Sequence, residues 1–283
     1  MKSIILINCP DQYGIISTVT QFIHANSGNI VYLDQHVDTS SNVFFMRLES
    51  CFALPDFDIS SFKENFEHVI GAPYKMHWSI HLEDTKPKMA LFVSKYNHCL
   101  YDVLSRYHSK ELSVEIPFIL SNHTDLKPIA DQFNIPFYHI PFSRANREIA
   151  ELEQLKLLKK YQVDFIVLAR YMQIVSSTLI DVYPNKIINI HHSFLPAFAG
   201  AKPYHAALKR GVKIIGATSH YVTEDLDEGP IIAQDVAPVT HANSIADFIS
   251  KGRDLEKIVL SRAIKLHILR KTIVHQNKTV IFS

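Results

Sequence analysis

Asn189 and His191 stand two residues apart at the end of the apolar run KIINIHH, and SFLPAFAG then turns the chain away. On a strand, residues i and i+2 point to the same face, so both side chains would leave from one side. An asparagine amide can hold a developing oxyanion, and an imidazole can accept or donate a proton near neutral pH. A carboxylate would complete such a set. The segment EDLDEGPII offers Asp225, Asp227 and Glu228, each able to orient His191, and composition alone does not choose among them. The abundant histidines also invite a zinc reading. That reading has little behind it: the neighbours His191 and His192 diverge on a strand. Cys9, Cys51 and Cys99 are scattered without a CxxC pair, which indicates neither a disulfide framework nor a thiolate metal site.

Positioning such a set requires a strand whose carboxyl end is open, and the pattern supplies one. From Met89 onward, short apolar runs (MALFVS, EIPFIL, PFYHIPF, DFIVLA, KIINIHH) are mostly separated by helical stretches such as NHCLYDVLSRYHSK. That alternation predicts an open, mainly parallel sheet, in which ligands sit outside the carboxyl ends of the strands. VKIIGATSHYV and GPIIAQDVAPV extend the sheet; a helix over residues 244–269 and a hairpin-like TIVHQNKTVIF follow. Residues 1–83 read differently. SIILINC, a helical stretch ending at Gly28, NIVYLDQHVD, VFFMRLE, DISSFKENFEHVIG and YKMHWSIHL give the order β-α-β-β-α-β. The charged, Pro-bearing residues 84–88 make a plausible linker, leaving 89–283 as a second, catalytic domain.

The 283 residues carry a formal charge of +1 with 20% charged residues, which is ordinary globular composition. The balance favours neither nucleic acid nor an anionic membrane as partner. Before Asn8 the chain offers only Ile4, Ile5, Leu6 and Ile7 as an apolar stretch, too short for a signal peptide, and no apolar run approaches membrane-spanning length. A cytoplasmic protein is expected.

The stretch from NIHHSFLPAFAG through LDEGPIIAQDV resembles the core signature of the formyl-tetrahydrofolate transferase/hydrolase family. The resemblance implies a Rossmann-like formyltransferase-type domain with Asn189, His191 and Asp227 as the catalytic set, at the family's spacing. LARYMQIV resembles the segment lining the family's pterin pocket, which implicates Tyr171, Met172, Gln173 and Val175. VTEDLD would form the opposite wall, with Thr223 and Leu226 as contacts. The N-terminal CPDQYGIISTVTQFI and SGNIVYLDQHVD resemble an ACT domain, a ferredoxin-like regulatory module. Its resemblance implies a homo-oligomer, dimer or tetramer, and a small amino-acid effector held by Asp11, Gln12, Gly14 and Ile15 with Gly28, Asn29 and Ile30. The bland alternative is that Gly14 relieves a tight turn and Asp11 caps a helix.

The combination implies that 10-formyltetrahydrofolate is the substrate, that no cofactor is required, and that the formyl group goes to water, giving formate for purine biosynthesis and tetrahydrofolate. Transfer to an amine is the competing expectation, as is a catalytically silent amino-acid sensor. A ribotide acceptor needs its phosphate held, and a Gly-rich loop after the domain's first strand would provide free N–H groups. Here that loop is FVSKYNHCLYD, and no glycine occurs between Gly71 and Gly200. Lys95 is the one residue there able to replace such a nest as a point charge. A formyl-tRNA product would need a nucleic-acid-binding domain after the catalytic one, for which the short stretch beyond Asp227 leaves little room. In the hydrolytic reading Asn189 and protonated His191 hold the oxyanion, while Asp227 positions water and stabilises the imidazolium.

Overall fold

The computed structural model describes all residues except 53–56, 84, 144 and 198–202. Asp84 of the expected linker, and the end of NIHHSFLPAFAG with the start of AKPYH, lie outside the described residues.

The chain divides into two compact units. The first contains β1 (Lys2–Pro10), α1 (Ile15–Ala25), β2 (Gly28–Asp38), β3 (Val43–Phe52), α2 (Ile59–Phe66) and β4 (His77–Leu82), with a π-helical turn at Glu67–Gly71. The four strands form one sheet in the order β2-β3-β1-β4, every neighbour antiparallel. This is the βαββαβ ferredoxin-like arrangement that the sequence pattern predicts. Alternation along β3 explains how the sheet is covered. Phe44, Met46 and Leu48 join the core with Ile15, Val19, Ile23, Phe62 and Phe66 from the two helices. Phe45, between them, must point to the other face.

That other face corrects the expected boundary. Besides residues 1–86, the first unit includes residues 270–275 and 280–283, which the sequence places in the second domain. Phe45 is buried against Ile273 and Phe282, with Leu6, Val43 and Val280 around them. Arg47 Nε donates to the Arg270 carbonyl at 2.9 Å, and Tyr32 Oη donates to the Ser283 carbonyl at 2.8 Å. An apolar residue on the far face of β3 needs cover, and the C-terminal residues supply it.

The second unit contains β5 (Met89–Val93), α3 (His98–His108), β6 (Ile119–Ser121), α4 (Lys127–Gln132), β7 (Phe137–His139), α5 (Arg147–Tyr161), β8 (Phe165–Leu168), α6 (Ser177–Ile180), β9 (Ile187–His191), α7 (Pro203–Arg210), β10 (Ile214–Tyr221), β11 (Ile231–Pro238) and α8 (Ile245–Ile268). Its seven strands run in the order β11-β10-β9-β8-β5-β6-β7. Pairing is parallel from β9 through β8, β5 and β6 to β7, and antiparallel where β10 joins β9 and β11 joins β10. Strands β5 and β8 are buried throughout, as strands covered on both faces must be. The long α8 starts at a capping box, in which the Ser244 side chain accepts from the Asp247 N–H and Asp247 answers the Ser244 N–H. A short pair, β12 (Thr272–His275) and β13 (Lys278–Ile281), follows it. Among the described residues no helix is long and apolar enough to cross a membrane.

Candidate active site

Strand β9 delivers Asn189 and His191 to the carboxyl edge of the parallel sheet, and β10 runs back alongside it. The antiparallel register sets Asn189 opposite His220. Directly paired residues share a face. Here Asn189 Nδ2 lies 3.2 Å from His220 Nε2. The other ring nitrogen of His220, Nδ1, is 2.9 Å from the Tyr221 carbonyl, which can only accept, so Nδ1 carries the proton. Burial lowers the pKa of His220 and outweighs the Tyr221 and Asp227 contributions that raise it, which favours the neutral ring. Its bare Nε2 therefore accepts from Asn189, fixing which end of the amide is nitrogen.

After β10 the chain turns through residues 222–229 into β11. Gly229 makes the turn possible, because a Cβ there would lie 1.8 Å from the Tyr221 carbonyl oxygen. Asp227 sits in this turn at φ 59°, a left-handed backbone that costs a non-glycine residue about 1–2 kcal/mol. The turn returns Asp227 to the end of β9. Its Oδ1 is 3.2 Å from His191 Nδ1 and 3.8 Å from His220 Nε2. Burial works against the Asp227 carboxylate, but the hydrogen bond from His191 and the nearby imidazoles hold its pKa below the usual value. Asp225 and Glu228, the other carboxylates of the cluster, are exposed.

With Nδ1–H of His191 directed to Asp227, Nε2 is the free end of the imidazole. It is buried and has no hydrogen-bond partner among the described residues. A buried polar atom held without a partner points to a group supplied by a ligand. The set thus presents an amide N–H and an imidazole nitrogen from one strand face, with a carboxylate behind the ring.

The segments expected to contact substrate differ in exposure. Met172, at φ 57°, and Leu226 are 51% and 62% exposed, and Gln173, Val175 and Thr223 are half-buried. Tyr171 is placed elsewhere: its ring is buried against Phe92 and Phe142, its hydroxyl accepts from Gln154 Nε2 at 2.9 Å, and its carbonyl accepts from the Ser94 hydroxyl. It supports the segment from inside the core. Val175 and Val222 pack on the same buried cluster as Tyr171, which brings the two walls together. Glu151 on α5, 2% exposed, holds the far end of the first wall by accepting from the Ser176 N–H and hydroxyl, and Arg147 Nη2 donates to the Ile174 carbonyl. His220 and Glu151 carry no motif signal of their own; only the strand register and the helix packing reveal them.

Among the described residues one group, His98, Cys99 and Glu256, brings metal-ligating atoms within 4.8 Å of one another. Burial, with the Glu256 charge, pushes the Cys99 thiol well up, and Arg170 Nε stands 3.5 Å from the same carboxylate. The Glu256 carboxylate thus already has a guanidinium beside it.

In the first unit, Asp11, Gln12, Gly14 and Ile15 line an open cavity of about 750 Å³ together with Gln35, Val37 and Phe44. Asn29 and Ile30 lie on β2 and are not among its lining residues.

The formyl transferase family profile matches residues 87–264, more than half of the chain and the whole of the segment that carries the site. A formyltetrahydrofolate deformylase of Synechocystis sp. is 48% identical, with 100% of this chain and 99% of that protein aligned. The chain belongs to the formyltetrahydrofolate deformylase family. The crystal structure of a deformylase from Pseudomonas syringae pv. tomato superposes with a TM-score of 0.96 at 44% identity, covering 100% of this chain and 95% of that one. A glycinamide ribonucleotide transformylase from Symbiobacterium toebii superposes with a TM-score of 0.67 at 26% identity over 72% of this chain and 98% of its own. The deformylase relatives thus align along both units, whereas the transformylase accounts for one catalytic unit's length.

Proposed function

We propose that this protein hydrolyses 10-formyltetrahydrofolate to formate and tetrahydrofolate, with Asn189, His191 and Asp227 as the reacting set. The observation that carries the reading is the polarity of His191: Nδ1 is tied to Asp227, and Nε2 is buried and open to a ligand. Full-length kinship with deformylases supports it.

The formyl carbon on N10 is a weak electrophile because nitrogen donates its lone pair into the carbonyl. Asn189 Nδ2–H and the Nε2–H of protonated His191 face the formyl oxygen and take up the charge that develops as a tetrahedral intermediate forms. Asp227 Oδ1 stabilises the imidazolium, and its second oxygen receives the proton of the attacking water. Collapse breaks the bond between the formyl carbon and N10, and that nitrogen gains a proton. His220 keeps the Asn189 amide turned so that its second N–H remains for substrate. Met172, Gln173, Val175, Thr223 and Leu226 line the pterin end of the cleft, and the buried Tyr171 backs it.

The first unit is proposed to be regulatory: a small amino acid occupies the cavity at Asp11, Gln12, Gly14 and Ile15, and the units pair into a dimer or tetramer in the cytoplasm. Incubation of pure protein with 10-formyltetrahydrofolate in amine-free buffer, with formate and tetrahydrofolate measured together, tests the catalytic reading. Equal release of both supports it; a chain that binds the folate but releases no formate refutes it.

A further inference from the structure

The mechanism leaves one buried polar cluster unused. Strands β8 and β5 are the next neighbours of β9, and the turns that follow them, residues 169–172 and 94–98, adjoin the end that carries His191. Arg170, 7% exposed and at φ 64°, lays its guanidinium over the Tyr96 ring with the centroid 4.8 Å away. Its Nε lies 3.5 Å from Glu256 Oε2, which is also 2.7 Å from His98 Nε2. Tyr204 Oη donates to Glu256 Oε1 at 2.7 Å. Tyr204 crosses α8 at Gly252, where a Cβ would fall 2.1 Å from its ring, so the approach requires glycine in mid-helix. Glu256 is 1% exposed; burial opposes its charge, but His98 and Arg170 hold the pKa below the ordinary value.

This cluster borders the reacting groups. The His192 ring lies between them, 5.1 Å from His191 and 5.8 Å from Tyr204 by ring centroids. Burial and the Arg170 charge lower the His192 pKa to about 4, so it stands there as a neutral wall at physiological pH. An acceptor larger than water must reach the formyl carbon through space beside the carboxyl edge. In an open α/β sheet the turn after the first parallel strand, opening a helix, is where such a group is ordinarily held. Here the first residue of α3, His98, is bonded to an internal carboxylate, and the next turn's Arg170 stacks on Tyr96 beside it.

We propose that Tyr96, His98, Arg170 and Glu256 form a built-in plug of the acceptor side, and that this plug reserves the formyl group for water. The inference rests on the deformylase reading and assigns its specificity. Loosening the plug admits an amine. The amine nitrogen then forms the new bond to the formyl carbon, the bond to N10 breaks, and one amine proton ends on N10. The balance is that of hydrolysis with the amine in place of water.

The test uses the full chain with 10-formyltetrahydrofolate, with and without added glycinamide, and measures formate, tetrahydrofolate and N-formylglycinamide. Wild-type protein is expected to yield formate equal to tetrahydrofolate in both cases. Arg170→Ala and His98→Ala are expected to divert formyl groups to glycinamide, raising the formylamide yield roughly tenfold or more over wild type. Tyr96→Ala, which trims a partly exposed ring, serves the same purpose should Arg170→Ala fail to fold. Formylation of glycinamide by wild type as readily as by the variants overturns the inference, as do folded variants that hydrolyse but never transfer. Absence of formate from wild type counts against the deformylase reading instead.

Discussion

Replacing Asp227 by Asn removes a charge while keeping the shape of the side chain. The carboxylate lies 3.2 Å from His191 Nδ1. At an effective dielectric of about 20, unit charges at that separation interact by about 5 kcal/mol. The Asp227 side chain is 16% exposed, so solvent screens part of this; about 3 kcal/mol is a reasonable share, roughly a hundredfold in rate. The interaction matters when the imidazole is positive, which is the state proposed for the transition state, so the loss belongs in kcat. Removing the base that takes the proton of water adds to it, and the combined fall in kcat is expected between about 10² and 10⁴. Formate release under saturating 10-formyltetrahydrofolate measures kcat, and folate binding to the same variant shows the cleft intact. Combining Asp227→Asn with His191→Ala supplies the second check: groups acting as one unit lose little more together than singly. A fall of less than about tenfold in Asp227→Asn, or fully additive losses in the double variant, would refute the reasoning.

His220→Phe removes the acceptor that orients the Asn189 amide; one hydrogen bond of about 1 kcal/mol predicts a five- to tenfold lower kcat with KM little changed, measured by steady-state formate release. Glu151→Gln weakens the hold on Ser176 behind the first cleft wall, so KM for 10-formyltetrahydrofolate is expected to rise about tenfold while kcat changes less. The Glu256 carboxyl is held below its unfolded value of about 4.3. Its contribution to stability is therefore complete above that value and is lost as pH falls through the lower folded one. Urea denaturation between pH 6 and the acid range is expected to show a shallower decline for Glu256→Gln than for wild type; an unchanged slope would count against a charged Glu256.

The elements of both sheets were legible because period-two alternation and apolar runs bounded by helical stretches are local properties of the chain. The helix expected over residues 244–269 runs from Ile245 to Ile268 with Ser244 and Leu269 as its caps. What local reading missed depends on register and on partners remote in the chain. SHYV does not announce that His220 faces Asn189; the pairing of β10 with β9 does. Tyr171 sits in a motif read as pocket lining, yet its ring turns inward to Phe92, since neighbouring residues of an irregular segment need not share a direction. Asp225, Asp227 and Glu228 were equivalent by composition, and the left-handed turn closed by Gly229 is what sets one of them beside His191. The affiliation of residues 270–275 and 280–283 escaped as well, because a hairpin's own pattern does not name the surface it covers.

The covering of Phe45 by Ile273 and Phe282 has a consequence for biosynthesis. These partners emerge from the ribosome more than two hundred residues after β3, so a nascent chain carries the far face of its first sheet bare throughout that interval.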